Sequence, residues 1–158
     1  EEDKGILSSH LHSDGKYIQE LGTEYPSSKY KGMITQEDVK NRKHHIHMNG
    51  REVFKHAVRR FPEVILEGLD YNKLKIDDVD LVIPHQANYR ITQAVQKQLD
   101  IPENKVFSNI HKYGNTTAAS IGIALSEALE QNLIDNGNIV VLASFGAGWY
   151  WGSVIIRW

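Results

Sequence analysis

From residue 80 onward, short apolar runs alternate with amphipathic stretches, and this alternation limits what the chain can fold into. Asp80–Pro84 (DLVIP), Val106–Ile110 and Ile139–Ser144 each read as a short strand. Between them lie two helix patterns. Residues 86–99 place Ile91, Ala94, Val95 and Leu99 on one side, and residues 115–133 open with Asn and Thr and carry the small residues TTAASIG in their first turns. Strands separated by helices imply βαβ crossovers and a sheet covered on both faces. FGAG (145–148) then turns the chain into a last strand, Trp151–Trp158, and a terminal strand-turn-strand makes the sheet mixed. The expected class is α/β, a mixed β-sheet with helices packed on both faces.

The first half adds fewer constraints. Residues 5–12 predict a strand closed by the turn Ser13-Asp14-Gly15. Residues 22–33 are turn-rich and predict a surface loop, with any flexible point around 22–34. Thr35, with Asp38 three residues on, can cap a short helix. His44–Met48 predicts an extended segment. Gly50–Tyr71 is a long helix pattern, with Val53, Phe54, Ala57, Val58, Phe61, Ile65, Leu66 and Leu69 at three- and four-residue spacing. Pro62 inside it lacks an N–H and clashes with the preceding turn, so a kink or a split is expected. There is no internal repeat or low-complexity tract, and residues 1–158 are expected to form a single domain.

Composition excludes several function classes. A formal charge of −2 gives no global basic field for nucleic acid, so an anionic partner must meet a local patch. The absence of cysteine removes disulfides, thiolate metal sites and cysteine nucleophiles from this chain. No apolar run approaches the roughly 18 residues of a membrane span, and the charged start Glu1-Glu2-Asp3-Lys4 is unlike a signal peptide. A cytoplasmic location without membrane contact is expected. The chain does not begin with Met, which fits a piece of something longer. His44, His45 and His47 cluster, and His10 and His12 alternate, but no spacing supplies further metal ligands, so no metal site is expected.

Three features carry possible chemistry. His85 follows the strand DLVIP directly, and ligands collect at the carboxyl ends of strands in open α/β sheets. The alternative is a His that merely caps the next helix. Asn115 follows the strand 106–110 and the loop HKYG, at the start of the small-residue helix, where it could equally be an N-cap. Together the two can converge, because a His N–H and an Asn amide N–H aimed at one point form an oxyanion hole. A buried helix N-terminus would add a favourable field. FGAG resembles part of a dinucleotide fingerprint but lacks the following helix, and a tight turn with exposed backbone N–H groups suits it better.

PHQAN (84–88), YGNTTAAS (113–120) and FGAGWYWGSVIIRW (145–158), in that order and spacing, resemble the C-terminal motifs of the β-ketoacyl-acyl carrier protein synthase III family. HLHSDG (10–15) and MNGREVFKHAV (48–58) are similar to that family's sequence too, so the resemblance covers essentially the whole chain. It implies a thiolase-like fold, two related halves stacked as five α/β layers, of which this chain is the C-terminal half. It implies transfer of an acyl group from coenzyme A to a cysteine, then decarboxylative condensation with malonyl on acyl carrier protein to start fatty acid synthesis. By the same resemblance, His85 and Asn115 are the catalytic pair that stabilises the decarboxylation enolate. The backbone N–H of Ala147, where relatives often carry Gly, would belong to a second oxyanion hole. Gly50, Phe54, Ala87, Asn88 and Ile91 would line the pantetheine channel, although helical spacing also fits Phe54 and Ile91 as core.

Arg90 and Lys97, seven residues apart on one helix face, would dock the acidic acyl carrier protein. No cofactor is implied: coenzyme A thioester and malonyl-acyl carrier protein are substrates. The implied partners are acyl carrier protein, acyl-CoA and the N-terminal half that bears the nucleophile, in a homodimer when full length. Alone, the chain is expected to form no acyl-enzyme and to expose the surface that meets the other half. Two alternatives stand beside this reading, a related condensing enzyme of polyketide or other secondary metabolism, and a non-catalytic assembly module.

Overall fold

A computed structural model describes residues 4–28 and 32–158. A four-stranded sheet organises them. Its strands are β1 (Gly5–Ser13), β4 (Leu81–Pro84), β5 (Ile139–Gly146) and β6 (Tyr150–Arg157), in the spatial order β1-β6-β5-β4. β4 and β5 run parallel, with Pro84 beside Ala143, while β6 is antiparallel to both β5 and β1. The sheet is mixed, as the strand-turn-strand ending implied. A small second ribbon pairs β2 (Leu21–Gly22) with β3 (His47–Met48).

The helices are α1 (Gln36–Lys40), α2 (Gly50–Tyr71), α3 (Tyr89–Leu99), α4 (Ile110–Tyr113) and α5 (Ala119–Glu130). Alternation along β5 decides which helix meets which face. Ile139, Val141, Ala143 and Phe145 join Ala57, Phe61, Ile65 and Leu69 of α2 and Ile91, Val95 and Leu99 of α3 in one core. Val140 points the other way, into a second core with Leu81, Ile83 and Ala124 and Ala128 of α5. Each fully buried Ile or Val contributes roughly 1.5–3 kcal/mol over an exposed one, so the two faces together fix the register of β5. Ser153 Oγ donates to the Val64 carbonyl at 2.7 Å and ties β6 to α2.

Several expectations hold in detail. Thr35 and Asp38 form a reciprocal cap on α1, each accepting the other's backbone N–H, at 3.1 and 3.0 Å. The Thr35 hydroxyl, together with Lys43, holds the Asp38 carboxyl down at about 2. Other expectations change. Pro62 does not split α2, which runs unbroken over 22 residues. Phe61, Ile65 and Leu69 stay buried on both sides of it, and their burial offsets the roughly 3 kcal/mol that an interior proline costs. Of the extended segment 44–48, only His47–Met48 pairs as a strand. The loop expected over 22–33 partly falls outside the described residues, at 29–31; before it, Glu24 and Tyr25 donate backbone N–H groups to the Lys43 carbonyl.

The strand expected at 106–110 shrinks to a single parallel bridge between Val106 and Val82, followed by the Phe107 N–H donating to the Val82 carbonyl at 2.9 Å. Beyond it the backbone turns to a side chain instead, as the Asn109 N–H donates to Gln86 Oε1 at 3.1 Å. The helix expected over 115–133 begins only at Ala119 and ends at Glu130. Residues 110–113 form a separate turn of helix, α4, closed by Gly114 at φ +66°, a left-handed conformation that favours glycine.

Candidate functional site

His85 stands immediately beyond β4, and its N–H extends the parallel pairing by donating to the Ala143 carbonyl at 2.8 Å. The backbone of a buried strand therefore aims it. Its ring is partly buried, and burial pushes the imidazole pKa below its ordinary value. Nδ1 lies 2.6 Å from Ser120 Oγ, in the first turn of α5. The same Oγ accepts the Gln86 N–H at 3.2 Å. Among the described residues, His85 Nε2 makes no hydrogen bond. The ring is thus held at one nitrogen and open at the other. His85 does not cap α3; that cap is Asn88, whose Oδ1 accepts the Arg90 N–H at 2.9 Å.

Asn115 lies between α4 and α5 and is exposed. It does not cap α5, which begins four residues later after a turn with no side-chain cap. Its side chain closes a local turn, with Oδ1 accepting the Thr117 N–H at 2.9 Å. A backbone N–H can only donate, so the atom facing it is the carbonyl oxygen and the free atom is Nδ2, a donor. Thr117 adopts φ +52°, a left-handed conformation that is costly for a β-branched residue. The turn that orients Asn115 is therefore strained. His85 and Asn115 share no hydrogen bond, and the link between them runs through Ser120, on the helix into which the Asn115 turn leads.

Ala147 is exposed on the three-residue turn that joins β5 to β6. The positive φ values of that turn fall on Gly148 (+76°) and Trp149 (+53°), so alanine sits at 147 without left-handed strain. Trp149 is fully buried, edge-on to Phe145 and stacked on Tyr17, and it anchors the turn from below.

The remaining predicted residues divide. Gly50, the first residue of α2, and Asn88 are exposed, and Ala87 is half-buried with its N–H on the His85 carbonyl at 2.9 Å. Ile91 is core, packed with Val95 and Leu99. Phe54 is half-buried, with the Arg90 guanidinium carbon 6.0 Å from its ring centre. Arg90 and Lys97 are both exposed along α3. His10 and His12 both face Glu67, with His12 Nε2 2.6 Å from its carboxylate, and His47 binds the Gln19 carbonyl. Among the described residues, no group of three or more His, Cys, Asp or Glu side chains is arranged to hold a metal ion. Among those residues, no helix is long and apolar enough to cross a membrane.

Sequence reasoning missed the buried polar side chains behind the site, namely Gln86, Asn109, Ser120 and Glu127. A signal for two of them existed. Ser120 and Glu127 are seven residues apart, and so share one face of a helix whose only other polar side chains are Ser126 and Glu130. Beside α5, an open groove is lined by Leu11, Ile121, Leu142, Tyr150 and Val154, with Leu11 80% and Tyr150 64% exposed.

Comparison with known proteins adds independent findings. The family model for the 3-oxoacyl-[acyl-carrier-protein] synthase III C-terminal domain matches residues 69–158. The β-ketoacyl-[acyl-carrier-protein] synthase III of Roseiflexus castenholzii is 44% identical over 163 residues, covering 100% of this chain and 47% of that protein. The enzyme of the same name from Wolbachia pipientis is 47% identical over 156 residues, covering 98% and 45%. The crystal structure of a β-ketoacyl-[acyl carrier protein] synthase III from Thermus thermophilus superposes with a TM-score of 0.89 at 37% identity, over 100% of this chain and 47% of that one. The chain therefore spans about half the length of the relatives it matches.

Proposed function

The chain belongs to the 3-oxoacyl-[acyl-carrier-protein] synthase III C-terminal family, and from that membership and the geometry at His85 and Asn115 we propose that it supplies half of a decarboxylating condensation site. Its mixed sheet with helices on both faces is the thiolase-like half of such an enzyme. The observation that carries the proposal is that His85 and Asn115 are each fixed at one polar atom and open at the other. Ser120 holds His85 Nδ1, and the Thr117 N–H holds Asn115 Oδ1. With the Ser120 hydroxyl donating to Nδ1, the neutral ring presents an Nε2–H, and Asn115 presents an Nδ2–H. Two such donors suit an oxygen on which negative charge develops.

The proposed chemistry runs in two stages. An acyl group first moves from coenzyme A to a cysteine in the half that this chain lacks. Malonyl on acyl carrier protein then loses carbon dioxide. The electron pair of the broken carbon–carbon bond becomes an enolate, whose oxygen His85 and Asn115 hold. The enolate carbon attacks the acyl thioester, the Ala147 N–H helps to hold the second oxyanion, and the cysteine thiolate leaves. In this reading thioester substrates suffice, without a metal or other cofactor. Gly50, Phe54, Ala87 and Asn88 border the pantetheine path, and the exposed Arg90 and Lys97 meet acyl carrier protein. Ile91 contributes packing rather than contact, since it is buried in the core.

The exposed apolar groove beside α5 faces the nucleophile-bearing half, and the full-length protein works as a cytoplasmic homodimer. The test uses the full-length protein. His85→Ala or Asn115→Ala is expected to lower malonyl decarboxylation by roughly 10²–10³ while acyl transfer to the cysteine survives. An equal fall in both steps would remove the assigned role.

A further inference from the structure

Glu127 is buried on α5, two turns beyond Ser120 and on the same face. Its Oε2 accepts from Asn109 Nδ2 at 2.9 Å, and its Oε1 pairs with Lys112 and accepts from Gln131 Nε2 at 3.3 Å. These bonds hold its carboxyl below the usual carboxylate range, with Lys112 the larger cause and Asn109 next. Asn109 immediately precedes α4, the single helical turn that Gly114 closes one residue before Asn115, and Lys112 lies within it. A buried carboxylate is costly unless paired, and apart from Gln131, which directly follows α5, the groups that pair with this one come from that turn and the residue before it.

Gln86 closes the circuit from the other side. Its Oε1 accepts the Asn109 N–H at 3.1 Å and the Ser108 hydroxyl at 2.9 Å. Its Nε2 donates to the Pro84 carbonyl at 2.7 Å, and its backbone N–H reaches Ser120 Oγ. One face of α5 thus holds His85 through Ser120, and the approach to Asn115 through Glu127.

We infer that Glu127 is a positioning residue, which fixes the α4 turn and through it sets Asn115 at a defined distance from His85. The inference rests on the reading of His85 and Asn115 as paired donors. It assigns Glu127 no contact with substrate.

The experiment uses the full-length protein with Glu127→Leu, Glu127→Gln and Lys112→Met, each alone and combined with Asn115→Ala. Two rates are read, carbon dioxide release from malonyl-acyl carrier protein and acyl transfer from acyl-CoA. Glu127→Leu is expected to slow decarboxylation on the order of 10- to 100-fold, with acyl transfer within about twofold. Glu127→Gln, which keeps an acceptor for Asn109, recovers part of the rate. Added to Asn115→Ala, neither Glu127 variant lowers decarboxylation further. Lys112→Met reports the same split from a half-exposed side chain if Glu127→Leu fails to fold.

Equal loss of both rates, or full multiplication with Asn115→Ala, would show a merely structural role and overturn the inference. If Asn115→Ala cripples decarboxylation while the Glu127 and Lys112 variants do not, the inference alone fails. If Asn115→Ala itself leaves decarboxylation intact, the paired-donor reading fails and takes the inference with it.

Discussion

Ser120 Oγ lies 2.6 Å from His85 Nδ1, although 35 residues separate them in the chain. It also accepts the Gln86 N–H, and a hydroxyl that accepts one hydrogen bond still has its own proton to give. Given to Nδ1, that proton leaves the ring's N–H on Nε2. Ser120→Ala removes the partner and frees the ring to take either tautomer. Decarboxylation in the full-length protein is expected to fall about tenfold, the equivalent of ~1.4 kcal/mol on the barrier. Carbon dioxide release measures it, with acyl transfer as the internal reference.

The burial of His85 carries a sign. Burial depresses the folded imidazole pKa below its ordinary 6.5, so the unfolded chain takes up the proton first as pH falls. The stability contributed by neutral His85 is complete above the unfolded value and is lost as pH drops through the folded one. The neutral ring therefore persists below pH 6.5, and in the full-length protein the decarboxylation proposed to depend on it is expected to do the same. The acid limb of the decarboxylation profile is expected below that point, and absent from the residual activity of His85→Gln. A limb centred above it would contradict the burial argument.

Periodicity revealed the parts of the fold that rest on local apolar pattern. The runs at Leu81–Pro84 and Ile139–Gly146 became strands, and 50–71 became a helix despite Pro62. The segment 106–110 misled because its apolar residues say nothing of Gln86, whose side chain takes over the backbone N–H that a strand partner would otherwise claim. The start of α5 misled for a similar reason. Asn115 has the chemistry of a cap, yet left-handed backbone at Gly114 and Thr117 turns the chain before the helix begins. His85 and Asn115 stood out as candidates because each is a polar residue that soon follows a short apolar run, although only the first run became a strand. Ser120 and Glu127 shared a helix face by their spacing, but their partners were not legible, because those lie on other elements that only tertiary packing brings near.

Gly152 reports how closely the edge strand is held. A Cβ there would lie 2.6 Å from a Leu11 methyl and 2.7 Å from the His10 carbonyl, so the β1–β6 pairing leaves no room for it. Backbone cannot yield as a flexible side chain does. Gly152→Ala is expected to destabilise the protein by about 1–3 kcal/mol, the usual range for forced overpacking. The denaturation midpoint would show it. A smaller loss would mean that β1 can shift away from β6 without disturbing the core.

Thr117 joins strain to the role proposed for Asn115. Its φ of +52° brings its N–H back onto Asn115 Oδ1 at 2.9 Å, and that contact leaves Nδ2 as the free donor. A left-handed conformation costs a non-glycine residue roughly 1–2 kcal/mol, whereas asparagine tolerates it. Thr117→Asn keeps the backbone N–H and relieves the strain. Stability is expected to rise by about 0.5–1 kcal/mol, with decarboxylation within about twofold of the parent. Denaturation and carbon dioxide release on the same preparation decide it. Higher stability with a tenfold slower reaction would mean that the Thr117 side chain itself acts in the site, and that the strain is held for more than the orientation of Asn115.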